Sequence, residues 1–390
     1  MTAKKSPAPR VRVKSPVIEV TRKVKDLTRL LLFVRAGGRC EFDGCNKYLL
    51  ENPLTLTEGN FAQMAHVVAF RAAGPRGQDG ERPLDINRIE NLLLLCHADH
   101  KEIDDHPARY TRKALEAYKA AHESRIRHVT SLGPNRKTAV LVFKARIGDH
   151  TVSVPFDQVI EATSPRFPTS THPPTIDLTE IPVADGAFLK TAMGTIKHRL
   201  NVLFGPEGEA TTAGHLSVFA LGPIPLLICL GRNLSNKVPS DLFQRHRDTE
   251  NWTWKGNGKA AEYQIRLLKS GKKDRVAVVM SLSGRLRLKD LPTEAIKGST
   301  VYELTLKGQV PNPTFLRQRQ DLERFRLAFQ RLIATILDKH GLVPTIDLFP
   351  AIPAPVAVLC GRELLPKVHP KLRIFDFDKA QSGFRFKLEV

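Results

Sequence analysis

A segment beginning Leu216-Ser-Val-Phe-Ala-Leu-Gly-Pro-Ile-Pro returns 130 residues later as Ile346-Asp-Leu-Phe-Pro-Ala-Ile-Pro-Ala-Pro. Over 23 positions without a gap, Phe219, Pro223, Pro225, Gly231, Arg232, Leu234, Lys237 and Val238 meet Phe349, Pro353, Pro355, Gly361, Arg362, Leu364, Lys367 and Val368. A small shift then sets Trp252-Thr-Trp254-Lys255 against Phe384-Arg-Phe386-Lys387. Eight identities at one offset mark a duplication, so this part of the chain must fold as two similar halves. In each copy an apolar strand (139–143; 276–282) precedes a helical pattern (188–202; 322–339) and two more short strands. Apolar runs flanked by helices predict parallel or mixed sheets of Rossmann type. The expected class here is α/β, with two fused Rossmann-like halves at about 138–270 and 271–390.

The preceding residues read differently. Residues 1–20 are Lys, Arg, Pro and Ser with little apolar content and predict a flexible basic tail, either merely solvated or loosely attracted to nucleic acid. Residues 21–130 form a first unit, and 131–137 a linker. Arg22 to Arg35 predicts a basic helix with an apolar stripe at Leu27, Leu30, Leu31 and Val34, stopped by Gly37-Gly38. Thr111 to Val129 predicts a second helix with Thr111 as N-cap. The Pro-, Thr- and Ser-rich stretch 163–184 predicts a long surface loop.

Composition narrows the function. Apolar residues make up 42% of the 390, which excludes a wholly disordered chain. Lys and Arg outnumber Asp and Glu by 60 to 40, and the net charge of +20 favours a polyanionic partner, nucleic acid before membrane. Five cysteines, three of them in the first quarter, are no disulfide framework and suggest a reducing compartment with a metal site. The N-terminus lacks a secretory apolar segment. The apolar run Ala220 to Leu230 carries two prolines and falls short of the roughly 20 residues a spanning helix needs. A cytoplasmic protein without membrane contact is expected.

The polar chemistry concentrates in the first unit. Cys40-Glu-Phe-Asp-Gly-Cys45 and a third thiol at Cys96, after the apolar run Leu92–Leu95, suit a structural tetrahedral zinc. The fourth position of a Cys-x-x-Cys or Cys-x-x-His half is here Asp99, favoured as fourth ligand over His97, which is adjacent to Cys96 and would have to bend back. His100 and Asp104, spaced i and i+4, share one helix face and form a competent pair for Mg²⁺ or another hard cation such as Mn²⁺. His66 in a short apolar strand could take a proton from water, since an ordinary imidazole titrates near ~6.5. Asn91 could hold the base or its loop with its amide. Arg71, Arg76 and Arg88 between base and Asn91, and Arg112 and Lys113 on the last helix, are candidate phosphate contacts for DNA.

Cys-x4-Cys, Ala65-His66, Asn91-Leu-Leu-Leu-Leu-Cys96 and His100-Lys-x-Ile-Asp104 together resemble the HNH endonucleases, an α+β domain of the ββα-metal fold, over about residues 30–128. The resemblance implies that His66 is the general base against a phosphodiester, Asn91 the middle residue of the motif, and His100, with Asp104, the holder of the catalytic cation. Many relatives carry Asp or His before the base; this chain has Ala65.

In the duplicated part, ligands of open α/β sheets are expected beyond the carboxyl ends of strands. The strand Val276–Leu282 runs into Ser281-Leu-Ser283-Gly284, whose small groups let amides approach a phosphate. Trp252 and Trp254, alternating on an expected strand beside Lys255, are either core or a stacking face for a base. The recurring Arg232, Arg362, Lys237 and Lys367 suit two-phosphate recognition or equally a shared turn or dimer contact. A nuclease unit followed by two fused Rossmann-like halves resembles the HNH–SAVED effectors of bacterial CBASS anti-phage systems, whose SAVED domains look like two fused CARF-type sensors. That resemblance implies a homodimeric nuclease. A cyclic dinucleotide (cGAMP-like) from a partner nucleotidyltransferase would assemble it into a tetramer or larger, activating degradation of double-stranded DNA. Two other readings remain open from the residues: a restriction-type HNH enzyme whose C-terminal part reads DNA, and a zinc-stabilised DNA-binding regulator.

Overall fold

The computed structural model describes residues 23–147, 153–181, 188–234, 236, 238–378 and 381–390, and it divides into two compact units, Met1–Gly133 and Pro134–Val390. The expected basic tail and Lys237 lie outside the described residues.

In the first unit α1 (Asp26–Ala36) ends at Gly37, whose φ of 63° is left-handed and whose amide returns to Val34 O at 3.1 Å. Its buried positions are Leu32 and Ala36; of the apolar stripe, Leu27, Leu30 and Val34 are at least 60% exposed. Strands β1 (Gln63–His66) and β2 (Leu92–Leu95) pair antiparallel with His66 opposite Leu92. β2 is buried on both faces, and with Leu32, Ala36, Ile103 and Leu115 it forms the core of the unit. The chain then turns into α2 (His97–Asp105) and α3 (Arg112–Thr130), the latter capped by Thr111 Oγ1 accepting from the Ala114 amide at 3.3 Å.

The second unit carries two sheets. The first half runs β3 (Lys137–Lys144), α4 (Phe156–Thr163), β4 (Phe167–Pro168), β5 (Thr175–Asp177), α5 (Phe188–Leu203), α6 (Glu209–Ala213), β6 (Leu216–Leu221), α7 (Ile224–Leu234) and β7 (Ser240–Phe243). Strand β3 lies between β4 and β6, with β5 also on β3, and every pairing is parallel. The stretch read as a long loop thus adds two short strands, because its apolar Phe167 and Ile176 sit where the β3 edge needs backbone partners. The second half runs β8 (Tyr263–Lys269), β9 (Lys272–Ser281), α8 (Thr293–Ile296), β10 (Ser299–Leu306), α9 (Arg319–His340), β11 (Thr345–Ala351), α10 (Ala354–Arg362), β12 (Lys371–Asp378) and β13 (Gly383–Glu389). Its sheet order is β13-β12-β11-β9-β10-β8, parallel inside and antiparallel at both edges.

The duplication maps onto equivalent elements. β3, β6, β7, α5 and α7 correspond to β9, β11, β12, α9 and α10. In the first half Phe219 stacks on Phe243 at 4.4 Å and meets Trp252 edge-on at 5.2 Å. In the second, Phe349 stacks on Phe375 at 4.7 Å and meets Phe384 edge-on at 5.7 Å. The recurring glycines have a steric origin. A Cβ on Gly231 would lie 1.8 Å from Val358 O, and one on Gly361 would lie 1.9 Å from Ile228 O, so α7 and α10 cross backbone to backbone. One continuous core containing α7 and α10 joins both halves.

Candidate metal and catalytic centre

Cys40, Cys45, Cys96 and Asp99 converge, with one ligand atom from each lying within 4.8 Å of every other. Local backbone makes this possible. Cys40 and Cys45 flank a tight turn through Gly44 (φ 80°), closed by the Cys45 amide donating to Phe42 O at 3.0 Å. Cys96 is the N-cap of α2, and its Sγ accepts from the Asp99 amide at 3.4 Å. Residue Asp99 therefore sits in the first turn with its carboxylate folded back, Oδ2 lying 3.0 Å from Cys96 Sγ and 3.1 Å from Cys40 Sγ. Burial pushes the Cys40 and Cys45 thiols up; it pushes Asp99 the same way, but hydrogen bonds from Cys45, Cys96 and Cys40 hold its carboxyl below the usual range. Three crowded thiols beside one carboxylate fit a tetrahedral zinc, which would take the thiols as thiolates and fasten the α1–β2–α2 junction.

Beside this knuckle, His66 ends β1 and His100 lies on α2. Asn91 clamps the chain beyond His66: Oδ1 accepts from the Val68 amide at 2.9 Å, while Nδ2 donates to Val68 O at 3.0 Å and Ile86 O at 2.8 Å. His66 Nε2 lies 3.0 Å from Asn87 Oδ1. Burial holds the His100 ring below the ordinary histidine range although Asp104 pulls the other way, which favours the neutral, metal-ligating form. His100 Nε2 is 3.5 Å from Asp104 Oδ2.

Arg76 corrects one expectation and qualifies another. Assigned from sequence to DNA phosphates, it is buried, donating to Val67 O at 2.8 Å, Ile103 O at 2.5 Å and Asp104 Oδ1 at 3.0 Å. A buried guanidinium must spend its donors internally. Asp104, read as a cation ligand, thereby shares its carboxylate between Arg76 and His100. Arg112 is also largely committed, with Nε on Glu116 at 2.8 Å and Nη1 on Glu81 O at 2.9 Å. Lys119, on the same basic helix, is buried against Glu123 at 2.6 Å and Glu41 at 3.8 Å. Arg71, Arg88 and Lys113 remain exposed. Asn87 was missed because a polar residue in an aperiodic loop carries no spacing signal.

In the second unit several residues expected to hold ligand have structural partners. Arg232 Nη1 donates to Leu364 O at 2.6 Å, and Arg362 donates to Ser240 O and Val238 O, each at 3.4 Å. Each arginine thus ties its own half to the other, which accounts for their recurrence. Trp252 is fully buried in the aromatic core and Trp254 is half-buried edge-on to His246 at 5.8 Å; the two lie in irregular chain, not on a strand. Ser281 is buried, its Oγ accepting from the Leu286 amide at 3.3 Å. Lys255 Nζ donates to Thr249 Oγ1 and Asn251 Oδ1, both at 2.8 Å. Ser283 stays half-buried beyond β9, its amide donating to Ala351 O at 2.7 Å and tying the carboxyl ends of β9 and β11.

A fused pair of Rossmann-like halves beyond a separate N-terminal unit defines a class of two-lobed α/β domains carried with another module. Residues 196–390, half of the chain, match the family described as the SMODS-associated and fused to various effectors sensor domain, SAVED, and the chain belongs to that family. The match begins inside α5 and leaves the first unit outside it. Comparison with curated proteins finds no match. Among solved structures, the Acinetobacter baumannii Cap4 SAVED/CARF-domain containing receptor with the cyclic trinucleotide 3'3'3'-cAAA is similar at 11% identity and a TM-score of 0.41, over 75% of this chain and 61% of that one. The Moraxella osloensis Cap4 receptor is similar at 10% identity and a TM-score of 0.36, over 74% and 60%. The chain thus spans about three fifths of the length of these receptors.

Proposed function

We propose that the chain is a cyclic-oligonucleotide-gated DNA endonuclease of a bacterial anti-phage system, cytoplasmic and acting through abortive infection. The observation that carries this reading is the join of a sensor-family domain to a unit in which His66 and His100 lie within electrostatic reach of each other and Cys40, Cys45, Cys96 and Asp99 converge. His66 takes a proton from water, and the hydroxide oxygen bonds to phosphorus as the P–O3′ bond breaks and its electron pair leaves with the 3′-oxygen. A Mg²⁺ or Mn²⁺ ion held by His100, with Asp104 at its side, would stabilise the charge growing on the phosphate and leaving oxygen. Exposed Arg71, Arg88 and Lys113 supply charge to the backbone of double-stranded DNA with little sequence preference. The activator lies beyond the carboxyl ends of the parallel strands, as open α/β sheets favour. Ser283, half-buried beyond β9, is the candidate for it at that edge.

Assembly follows from mass action: a ligand that binds the assembled state more tightly shifts the population toward it. A homodimer in the idle state is supported by the exposed stripe on α1, with Asp26 at one end and Arg35 at the other, which is self-complementary in an antiparallel pairing of two copies.

The test is plasmid cleavage with Mg²⁺ or Mn²⁺ against a panel of cyclic di- and trinucleotides. Degradation should require one panel member, and His66→Ala should lower cleavage by about 10²- to 10⁴-fold while retaining ligand binding. Discrete, sequence-specific bands without any nucleotide would overturn the gated reading in favour of a restriction-type enzyme.

A further inference from the structure

We infer that Asn87 is the positioning residue of His66, selecting the ring nitrogen that accepts the proton of the attacking water. The inference rests on the nuclease reading above and assigns a role to a residue that lies outside the sequence motif.

A neutral imidazole carries one N–H and one lone pair, and its other hydrogen bond decides which nitrogen is which. An amide oxygen only accepts. His66 Nε2 at 3.0 Å from Asn87 Oδ1 is therefore the protonated nitrogen, and Nδ1 is the basic one. The contact is built, not incidental. Asn87 is 8% exposed, and its amide donates to Asp85 Oδ1 at 3.0 Å. The Arg88 amide closes the same turn on Asp85 O at 3.2 Å. The Asn91 side chain holds both partners' neighbours at once, Val68 two residues beyond His66 and Ile86 one residue before Asn87. One buried amide thus fixes the separation between base and orienter. The antiparallel pairing of β1 with β2 fixes it again from the strand side, with His66 opposite Leu92. In the reaction the water proton passes to Nδ1, the Nε2–H stays on Asn87 Oδ1, and the imidazolium that forms keeps that hydrogen bond throughout. A ring free to turn would spend much of its time presenting the wrong nitrogen, lowering turnover without altering how DNA binds.

Asn87→Leu removes the acceptor while keeping the branching and number of heavy atoms of the side chain, and Asn87→Asp keeps an acceptor oxygen in place. Both are made in the full chain, alone and with His66→Ala, and assayed on plasmid with Mn²⁺ and the cyclic nucleotide that activates the unmodified protein. Asn87→Leu should lower kcat by about 10- to 100-fold with KM for DNA unchanged, and Asn87→Asp should recover most of the loss. Added to His66→Ala, Asn87→Leu should cost nothing further, because a residue acting through His66 has nothing left to position. If Asn87→Leu does not fold, Asn87→Ala carries the same readouts. Full activity in Asn87→Leu, or an equal additional loss in the His66→Ala background, would overturn the role of Asn87 while leaving the nuclease standing. An unmodified chain that cleaves under no panel condition would overturn both.

Discussion

At Cys96 one side chain does two things: its thiol caps α2 and also faces the other two thiols of the knuckle. That is why Asp99 was legible in sequence. The position three residues into a helix after an N-cap is set by local backbone geometry, so Cys-x-x-Asp places a carboxylate over a thiol wherever a helix begins there. Arg76 was not legible, because whether a guanidinium in a loop meets solvent or a buried carboxylate depends on the 28-residue separation to Asp104 being closed by the fold. His246 shows the same dependence. Burial, aided by the Lys255 charge, pushes its ring down to about 4, and its Nε2 has no hydrogen-bond partner among the described residues. A base depressed in the fold is neutral there but protonates in the unfolded chain as pH falls below about 6.5. The stability that it contributes is therefore complete above that pH and is lost as pH falls toward 4. Between pH 7.5 and 5 the loss should be about 2 kcal/mol. Urea unfolding at the two pH values should show a smaller pH dependence for His246→Gln than for the unmodified protein, by about that amount; equal dependences would remove the assignment.

At the scale of elements the repeat gave more than its motif suggested. Its aromatic positions form matching trios, Phe219-Phe243-Trp252 and Phe349-Phe375-Phe384, so Trp252 recurs as Phe384 because both fill the same layer beneath a sheet. Its Gly-Arg pair recurs because α7 and α10 cross at Gly231 and Gly361 and the adjacent arginines reach across to the opposite half. A run of sequence cannot distinguish an arginine kept for a ligand from one kept for a pseudo-twofold contact; both recur at the same offset. The glycines give a paired test. Gly231→Ala must force Cβ off the Val358 carbonyl and should destabilise the second unit by at least ~3 kcal/mol. Gly194→Ala, at an exposed position of α5 with nothing within 4 Å, should stabilise it by roughly 0.5–1 kcal/mol through helix propensity. Denaturant midpoints of the two variants should move in opposite directions. A Gly231→Ala midpoint no lower than that of the unmodified protein would mean that the helix crossing is looser than its geometry implies.

At the scale of the whole molecule, the net charge of +20 and the exposed α1 stripe are the two properties through which the proposed nuclease would meet DNA and a second copy. Among the described residues no helix is long and apolar enough to cross a membrane. The stripe was legible as an apolar periodicity, but the face it occupies was not: Leu32 and Ala36 took the core and left Leu27, Leu30 and Val34 outside. Leu30→Asp, at 60% exposure, should leave the thermal midpoint within a few degrees while lowering the idle assembly from dimer to monomer by light scattering. Adding the activating nucleotide should raise the mass of the unmodified protein to a tetramer or beyond. An unchanged mass for Leu30→Asp would assign the dimer to another surface.

What the sequence determined by itself was everything governed by short separations or by copying: the two-halved α/β architecture, the Thr111 cap, the Cys96–Asp99 half of the knuckle and the i, i+4 pair on α2. Tertiary structure alone decided which charges and indoles remained available. Burial depends on elements far apart in the chain, and it turned Arg76, Arg232, Arg362, Trp252 and Ser281 into parts of the scaffold while leaving Arg71, Arg88, Lys113 and Ser283 accessible.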